Sequence, residues 1–273
     1  MNIELPEVNY VITTIQKVNS EYDKVSKPIS EWVGDHRQQI NNNAAVISRK
    51  SDKNDVKILM ILLSDLLMRF MQGDSGVKIR KALERNLKTK DDLTREKYLQ
   101  ILREAQYRWV DDGVNVMDSV VNYFGKELKW NWRTYFSDAE RYHKTNFIED
   151  HLLKIKHIKY KVRDLALSNF NPNYIANDLH IVRVSTRLGL LNYGFDLLSS
   201  PNFEMGNNPS NLKNYLFLHS LFLKLSEMTD NKWCLSDFDR SFWHFGRTIC
   251  NNVPQCAACP IRKVCLTGKI MTK

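Results

Sequence analysis

Toward the end of the chain four cysteines, Cys250, Cys256, Cys259 and Cys265, fall within sixteen residues at the spacing C-x5-C-x2-C-x5-C. Nothing else in the sequence limits the fold so sharply. Thiolates this close are expected to converge on one centre, and a metal or an iron–sulfur cluster is the economical occupant. Zinc also accepts four cysteines. A zinc ribbon, however, presents two well-separated ligand pairs, and this run has a single C-x2-C. Disulfides are the remaining option, and they belong to oxidising compartments. The fifth cysteine, Cys234, follows Trp233 and reads as a small buried hydrophobe.

Nothing near the N-terminus suggests export. Met1-Asn2-Ile3-Glu4-Leu5-Pro6 has no basic stretch ahead of an apolar run. The longest apolar stretch, Ile58 to Leu63, is soon followed by Asp65 and Arg69 and is too short to span a bilayer. A cytoplasmic protein is expected, nucleoid-associated in a prokaryote, with no membrane partner. Lys and Arg number 40 against 31 Asp and Glu, a net charge of +9, which favours a polyanionic partner. Hydrophobic residues make up 43%, enough for a globular core in 273 residues forming one large domain or two small ones.

Periodicity predicts helices almost throughout. Val8, Val11, Ile12, Ile15 and Val18 place a first helix over 8–26, ended by Pro28. Asn41-Asn42-Asn43 and Ser48 to Asn54 read as a loop. Asp55 opens a helix through Phe70 that is apolar nearly all round and so belongs at the centre of a core, with Gly73 and Gly76 closing it. Further helices are predicted over Val77–Leu87, Asp91–Tyr107 and Asn115–Phe124, the last stopping at Gly125. Trp130, Trp132, Tyr135 and Phe136 read as core rather than as a base-stacking wedge. Pro201 to Pro209 reads as a loop and Asn211–Met228 as a helix. Ser236 with Asp239 resembles a capping box for a helix through Phe238, Phe242, Phe245 and Ile249. No strand pattern stands out.

Two stretches carry a family resemblance. Gly246-Arg247 ahead of Cys250, then Pro254-Gln255-Cys256-Ala257-Ala258-Cys259-Pro260, resembles the iron–sulfur loop of endonuclease III-like enzymes. These form a branch of the helix-hairpin-helix (HhH-GPD) DNA glycosylases. The first gap is one residue shorter than in that branch. Upstream, Asp178, His180, Arg183, Val184, Arg187, Leu188, Gly189 and Leu190 match the family's Val-Asp-Thr-His-Val run and the Arg-Val and Arg-Leu-Gly-Leu that follow. Between 145 and 170 two short helices around a tight turn fit the hairpin itself, although His157 and Lys159 stand where the family has glycines.

The resemblance implies an all-α, two-domain fold. Residues 46–171 would form a helical barrel ending in a degenerate helix-hairpin-helix. Residues 1–45 and 172–273 would form a discontinuous domain holding a [4Fe–4S] cluster on Cys250, Cys256, Cys259 and Cys265. Double-stranded DNA would cross the cleft between them, and the protein is expected to act as a monomer. The implied activity is base excision: a damaged, mismatched or modified base is flipped out and its N-glycosidic bond cut. Asp178 is the candidate carboxylate, needed to stabilise a cationic sugar or activate the nucleophile. Its alternative role is a plain helix cap.

Lys161 is the candidate amine for strand cleavage, with Lys156, Lys159 and Arg163 as cationic neighbours able to lower its pKa. Counting back from Asp178 puts Tyr160 in that position instead. Lys156, His157, Lys159, Arg183, Arg187, Arg262 and Lys263 are candidate DNA contacts. A non-catalytic iron–sulfur DNA-binding or sensing protein on the same fold, and a zinc-stabilised helical adaptor, are the competing readings.

Overall fold

The computed structural model describes residues 7–68, 73–192 and 211–271. Helix α1 (Val8–Ile15) buries Val8, Val11, Ile12 and Ile15 on one face. The helix expected to continue to residue 26 ends there. Strands β1 (Asn19–Tyr22) and β2 (Val25–Pro28) form an antiparallel hairpin instead. Its turn residues Asp23 and Lys24 both have positive φ, 49° and 64°, the signature of a type I′ turn. Asp-Lys is not the Asn-Gly or Asp-Gly pair that usually marks such a turn, which is why the strands escape a reading of the sequence.

Pro28 closes β2 and leads straight into α2 (Ile29–Ile47). The asparagine run at 41–43, expected as a loop, is helical. Asn43 is buried and its amide donates to the Asn169 carbonyl at 3.0 Å. Helix α3 (Asp52–Leu66) starts before the expected Asp55 because the Ser51 hydroxyl caps it, accepting from the Asn54 N–H at 3.2 Å. Phe70, the expected end of that helix, lies outside the described residues. Gly73 opens α4 (Gly73–Asn86) rather than closing α3, and Gly76 lies within it.

Helix α5 (Arg95–Glu104) is capped by Thr94, so the helix expected from Asp91 begins later. Helix α6 (Val110–Asn122) continues through a π-helical turn at Tyr123–Glu127, and Gly125 does not stop it. Then come α7 (Trp132–Thr145), α8 (His151–Lys154), α9 (Tyr160–Ser168), α10 (Leu179–Leu188), α11 (Leu212–Glu227), α12 (Leu235–Arg247) and α13 (Leu266–Met271). The loop expected at Pro201–Pro209 lies outside the described residues. Cys234, not Ser236, caps α12. The Asp237 carboxylate accepts from the Cys234 backbone N–H at 2.8 Å and from its thiol at 2.9 Å, so this cysteine has a polar task.

The chain divides into two compact units, 1–38 with 172–273, and 39–171, the first division falling inside α2. In the 39–171 unit α3 packs against α9, and Leu59, Leu62, Leu63, Ile101, Leu102 and Met117 are wholly buried. Trp132 and Tyr135 are core, and the Trp132 indole donates to Asp55 at 2.8 Å. Arg163 is also fully buried. It donates to Asp150 at 2.6 and 3.1 Å, to the Ala139 carbonyl at 3.1 Å, and pairs with Asp164. Asp150 caps α8 by accepting from the Leu152 N–H at 2.9 Å. Arg163 therefore ties α9 to the start of α8, and removing one member of such a buried pair costs roughly 3–5 kcal/mol.

In the other unit the core is built on α1, α10, α11 and α12, with Ile12, Ile181, Val184, Phe222, Phe238 and Phe242 buried. Helices α10 and α12 cross closely at Gly246, where a Cβ would lie 3.0 Å from His180 Cβ and 3.2 Å from its carbonyl. The β-hairpin docks on α12 through Ser20, whose hydroxyl meets His244 Nδ1 at 2.9 Å. Trp32 stacks on the His244 ring at 5.2 Å. Burial, then the charges of Arg240, Arg247 and Lys27, push the His244 pKa down to about 3. Between about pH 6.5 and 3 the unfolded chain takes up a proton here that the folded chain refuses, so stability falls as pH falls. The slope is up to about 1.4 kcal/mol per pH unit. Denaturant titrations from pH 7 to 4 are expected to show this loss, and His244→Gln is expected to flatten it by that amount.

Candidate active site

Asp178 stands at the N-cap of α10. One carboxylate oxygen accepts from the His180 N–H at 2.8 Å and the Ile181 N–H at 3.1 Å. The side chain is nearly buried, 6% exposed. The helix ends at Gly189, whose φ of 93° is left-handed, and a Cβ there would press on Leu266. His180 and Arg183 face Gly246: His180 Nδ1 lies 3.2 Å, and Arg183 Nη1 3.4 Å, from its carbonyl oxygen. Burial first, then Arg183 and Arg247, hold the His180 pKa below its usual value against the opposing pull of Asp178.

Arg187, expected among the DNA contacts, has a local task that sequence reasoning missed. Its guanidinium donates to the carbonyls of Cys250 (3.1 Å), Asn251 and Asn252 (3.1 Å), and approaches Cys250 Sγ at 3.6 Å. From the other side the Cys265 thiol donates to the Arg187 carbonyl at 3.1 Å.

Cys250, Cys256, Cys259 and Cys265 line one cleft together with Leu188 and Phe245. Burial pushes the Cys250, Cys259 and Cys265 thiols up, Cys259 to about 11. Arg187 pulls Cys250 back, the Ile261 N–H pulls Cys259, and the Gly268 and Thr267 N–H groups pull Cys265. Among the described residues no three His, Cys, Asp or Glu side chains converge tightly enough for one ion. The Arg187 guanidinium approaches the Cys250 sulfur, and backbone N–H groups of Ile261, Gly268 and Thr267 face the Cys259 and Cys265 sulfurs. Arg262 donates to the Ala257 carbonyl at 3.0 Å, and Lys263 is exposed on the same loop.

In the 39–171 unit the hairpin turn runs from Ile155 to Lys159, between α8 and α9. His157 has φ 76°, the left-handed backbone that a glycine would adopt without strain. Its Nε2 pairs with Asp112 at 3.0 Å, which holds the ring against the unit. Lys156 and Lys159 are exposed, and Lys159 is the N-cap of α9. Tyr160 and Lys161 are the first two residues of α9 and both are half-buried. Tyr160 packs on Phe147 with ring centroids 5.6 Å apart. Arg163, expected to be a free cation near Lys161, is neutralised inside its buried pair instead.

No family model matches the sequence, and no curated protein sequence matches it. Solved structures do match the fold. The Methanocaldococcus jannaschii 8-oxoguanine glycosylase/lyase in complex with a 15mer DNA containing 8-oxoguanine gives a TM-score of 0.55 at 15% identity, over 86% of this chain and 95% of that one. A trapped endonuclease III–DNA covalent intermediate, an estranged-adenine complex, gives 0.52 at 18% identity over 88% and 99%. A non-covalent endonuclease III–DNA complex gives 0.53 at 19% identity over 90% and 97%. The chain thus has the all-α helix-hairpin-helix (HhH-GPD) DNA glycosylase fold, and its described residues include one small β-hairpin. No helix among the described residues is long and apolar enough to cross a membrane.

The Arg187 contacts make a sharp prediction. Arg187→Met keeps the stem and removes every donor to the loop, leaving three carbonyls without that partner. It is expected to destabilise the 1–38/172–273 unit by about 2–3 kcal/mol. In hydrogen-exchange mass spectrometry, exchange should quicken at 250–256 and not within 39–171.

Proposed function

We propose that this protein is a DNA glycosylase of the base-excision type. The observation that carries the reading is Asp178. It is a carboxylate fixed by two backbone N–H groups at the head of α10, inside a fold shared with glycosylases solved on DNA. A flipped-out nucleotide presents its sugar, and breaking the base–sugar bond develops positive charge at the anomeric carbon. A fixed, ionised carboxylate beside that carbon stabilises the charge without having to reorganise. On this reading Lys156 and Lys159 hold the DNA backbone through exposed charge, replacing the backbone donors of a glycine-bearing turn. Arg183, Arg262 and Lys263 add to the same field.

Lys161 is the proposed amine nucleophile. Its neutral amine would attack the anomeric carbon as the C1′–N bond to the base breaks and the base takes up a proton. Opening of the C1′–O4′ bond, with loss of one Nζ proton and protonation of O4′, gives an iminium, and removal of a C2′ proton then expels the 3′ phosphate. If Tyr160, which packs on Phe147, holds that position instead, the protein is a glycosylase without lyase activity. The four cysteines are proposed to hold one [4Fe–4S] cluster. Its part is structural, fixing the basic loop that carries Arg262 and Lys263. In the competing reading the fold and cluster only bind DNA, and Asp178 is only a cap.

Two experiments separate these readings. Asp178→Asn keeps the cap acceptor and loses the charge. It is expected to bind substrate DNA normally and to lose base excision by roughly a hundredfold or more. Borohydride is expected to trap wild-type protein on the DNA, and Lys161→Gln to abolish the trap. Excision without a trapped adduct would leave a glycosylase lacking lyase activity, and unimpaired excision by Asp178→Asn would end the catalytic assignment. For the cofactor, anaerobically purified protein should be brown with about four irons per chain. Colourless protein with one zinc per chain would remove the cluster.

A further inference from the structure

Residues that the glycosylase reading leaves unused gather on one stripe of α12. Arg240, Trp243, His244 and Arg247 stand at i, i+3, i+4 and i+7. The Arg247 guanidinium lies 4.5 Å from the centre of the Trp243 ring and 5.9 Å from that of Tyr22 on β1. Tyr22 meets Trp243 edge-on at 5.6 Å, and His180 of α10 meets it at 6.2 Å. Beside them Lys27 of β2 sits 4.2 Å over Trp32, which stacks on His244. The hairpin that no sequence signal announced therefore supplies one wall of a cationic and aromatic face.

Charge on this face is not balanced. Lys27 pairs with Asp35. Among the described residues neither Arg183, Arg240 nor Arg247 pairs with a carboxylate, and Arg247 Nη1 is shielded from water without a hydrogen-bond partner. That Nη1 is closed off from solvent, so an incoming oxyanion would meet the guanidinium's other donors. A guanidinium laid against an indole keeps its planar donor fork for a bidentate oxyanion, which phosphate supplies. Arg240 and Arg247 are about 10 Å apart along the helix axis, a span that takes two phosphates of a chain rather than one free anion.

We infer that α12 and the β1–β2 hairpin form a DNA-backbone clamp, separate from the helix-hairpin-helix and the cysteine loop, in which Arg240 and Arg247 each bind a phosphate. The inference rests on the glycosylase reading, because it takes the polyanion to be duplex DNA. His180, two residues beyond Asp178, walls the same face, so a strand held here runs past the head of α10. The clamp positions the strand and takes no part in the chemistry.

The test is fluorescence anisotropy of the full chain with an undamaged, labelled 20-base-pair duplex from 50 to 300 mM NaCl. Arg240→Gln/Arg247→Gln is expected to weaken binding to every sequence about equally. It is also expected to lower the slope of log affinity against log salt by about two, one for each phosphate no longer neutralised. Arg240→Gln alone leaves the Arg247–Trp243 stack intact and should lower the slope by about one. Thermal denaturation of each variant checks its fold. An unchanged slope in a folded variant overturns the clamp and leaves the glycosylase reading standing. Wild-type protein that binds no duplex at any salt overturns both.

Discussion

Helix α10 is pinned at both ends, and the 1–38/172–273 unit depends on those two pins. At its head Asp178 accepts two backbone N–H groups; at its tail Arg187 grips three successive carbonyls of the cysteine loop. Between them Gly246 lets α12 approach closely enough for its carbonyl to meet His180 and Arg183. A shift of the cysteine loop therefore has a short, stiff route to the candidate carboxylate. On the proposed reading, a cluster and the Asp178 carboxylate need not touch to depend on each other: the cluster would fix the loop, the loop Arg187, and Arg187 the axis of α10.

The hairpin of the 39–171 unit solves a different problem. A glycine-free turn has to accommodate a left-handed residue, and His157 takes that conformation at φ 76° while its ring pairs with Asp112. Arg163 locks the two flanking helices from within. The turn geometry survives the loss of glycine because side-chain bonds hold it. Lys156 and Lys159 are exposed beside it.

Much of this was legible from residues alone. Cysteine spacing pointed to one metal or iron–sulfur centre; the four cysteines line one cleft, but among the described residues no three ligand-type side chains gather around one ion. Asp178 read as a catalytic carboxylate with a helix cap as the alternative, and its hydrogen bonds are those of a cap; the apolar run after 55 read as central, and α3 is. The failures share a cause, which is that tertiary partners overrode local signals. Asn43 stays helical because Asn169 receives its amide. Cys234 caps α12 because Asp237 reaches back to it. The β-hairpin forms on an Asp-Lys turn because Ser20 and Tyr22 find His244 and Trp243. Arg163 and Arg187 looked like surface cations, and only the fold reveals one inside a buried ion pair and the other inside a loop.

The central claim is that this fold excises a base, and a panel of duplexes tests it most directly. Each duplex would carry one damaged, mismatched or modified base and be incubated with the wild-type protein under single-turnover conditions, then treated with alkali to break abasic strands. The account predicts cleavage at the altered position in at least one duplex and none in the unmodified control. A protein that binds these duplexes, stays folded and releases no base from any of them would contradict it, and would leave the fold with a binding role alone.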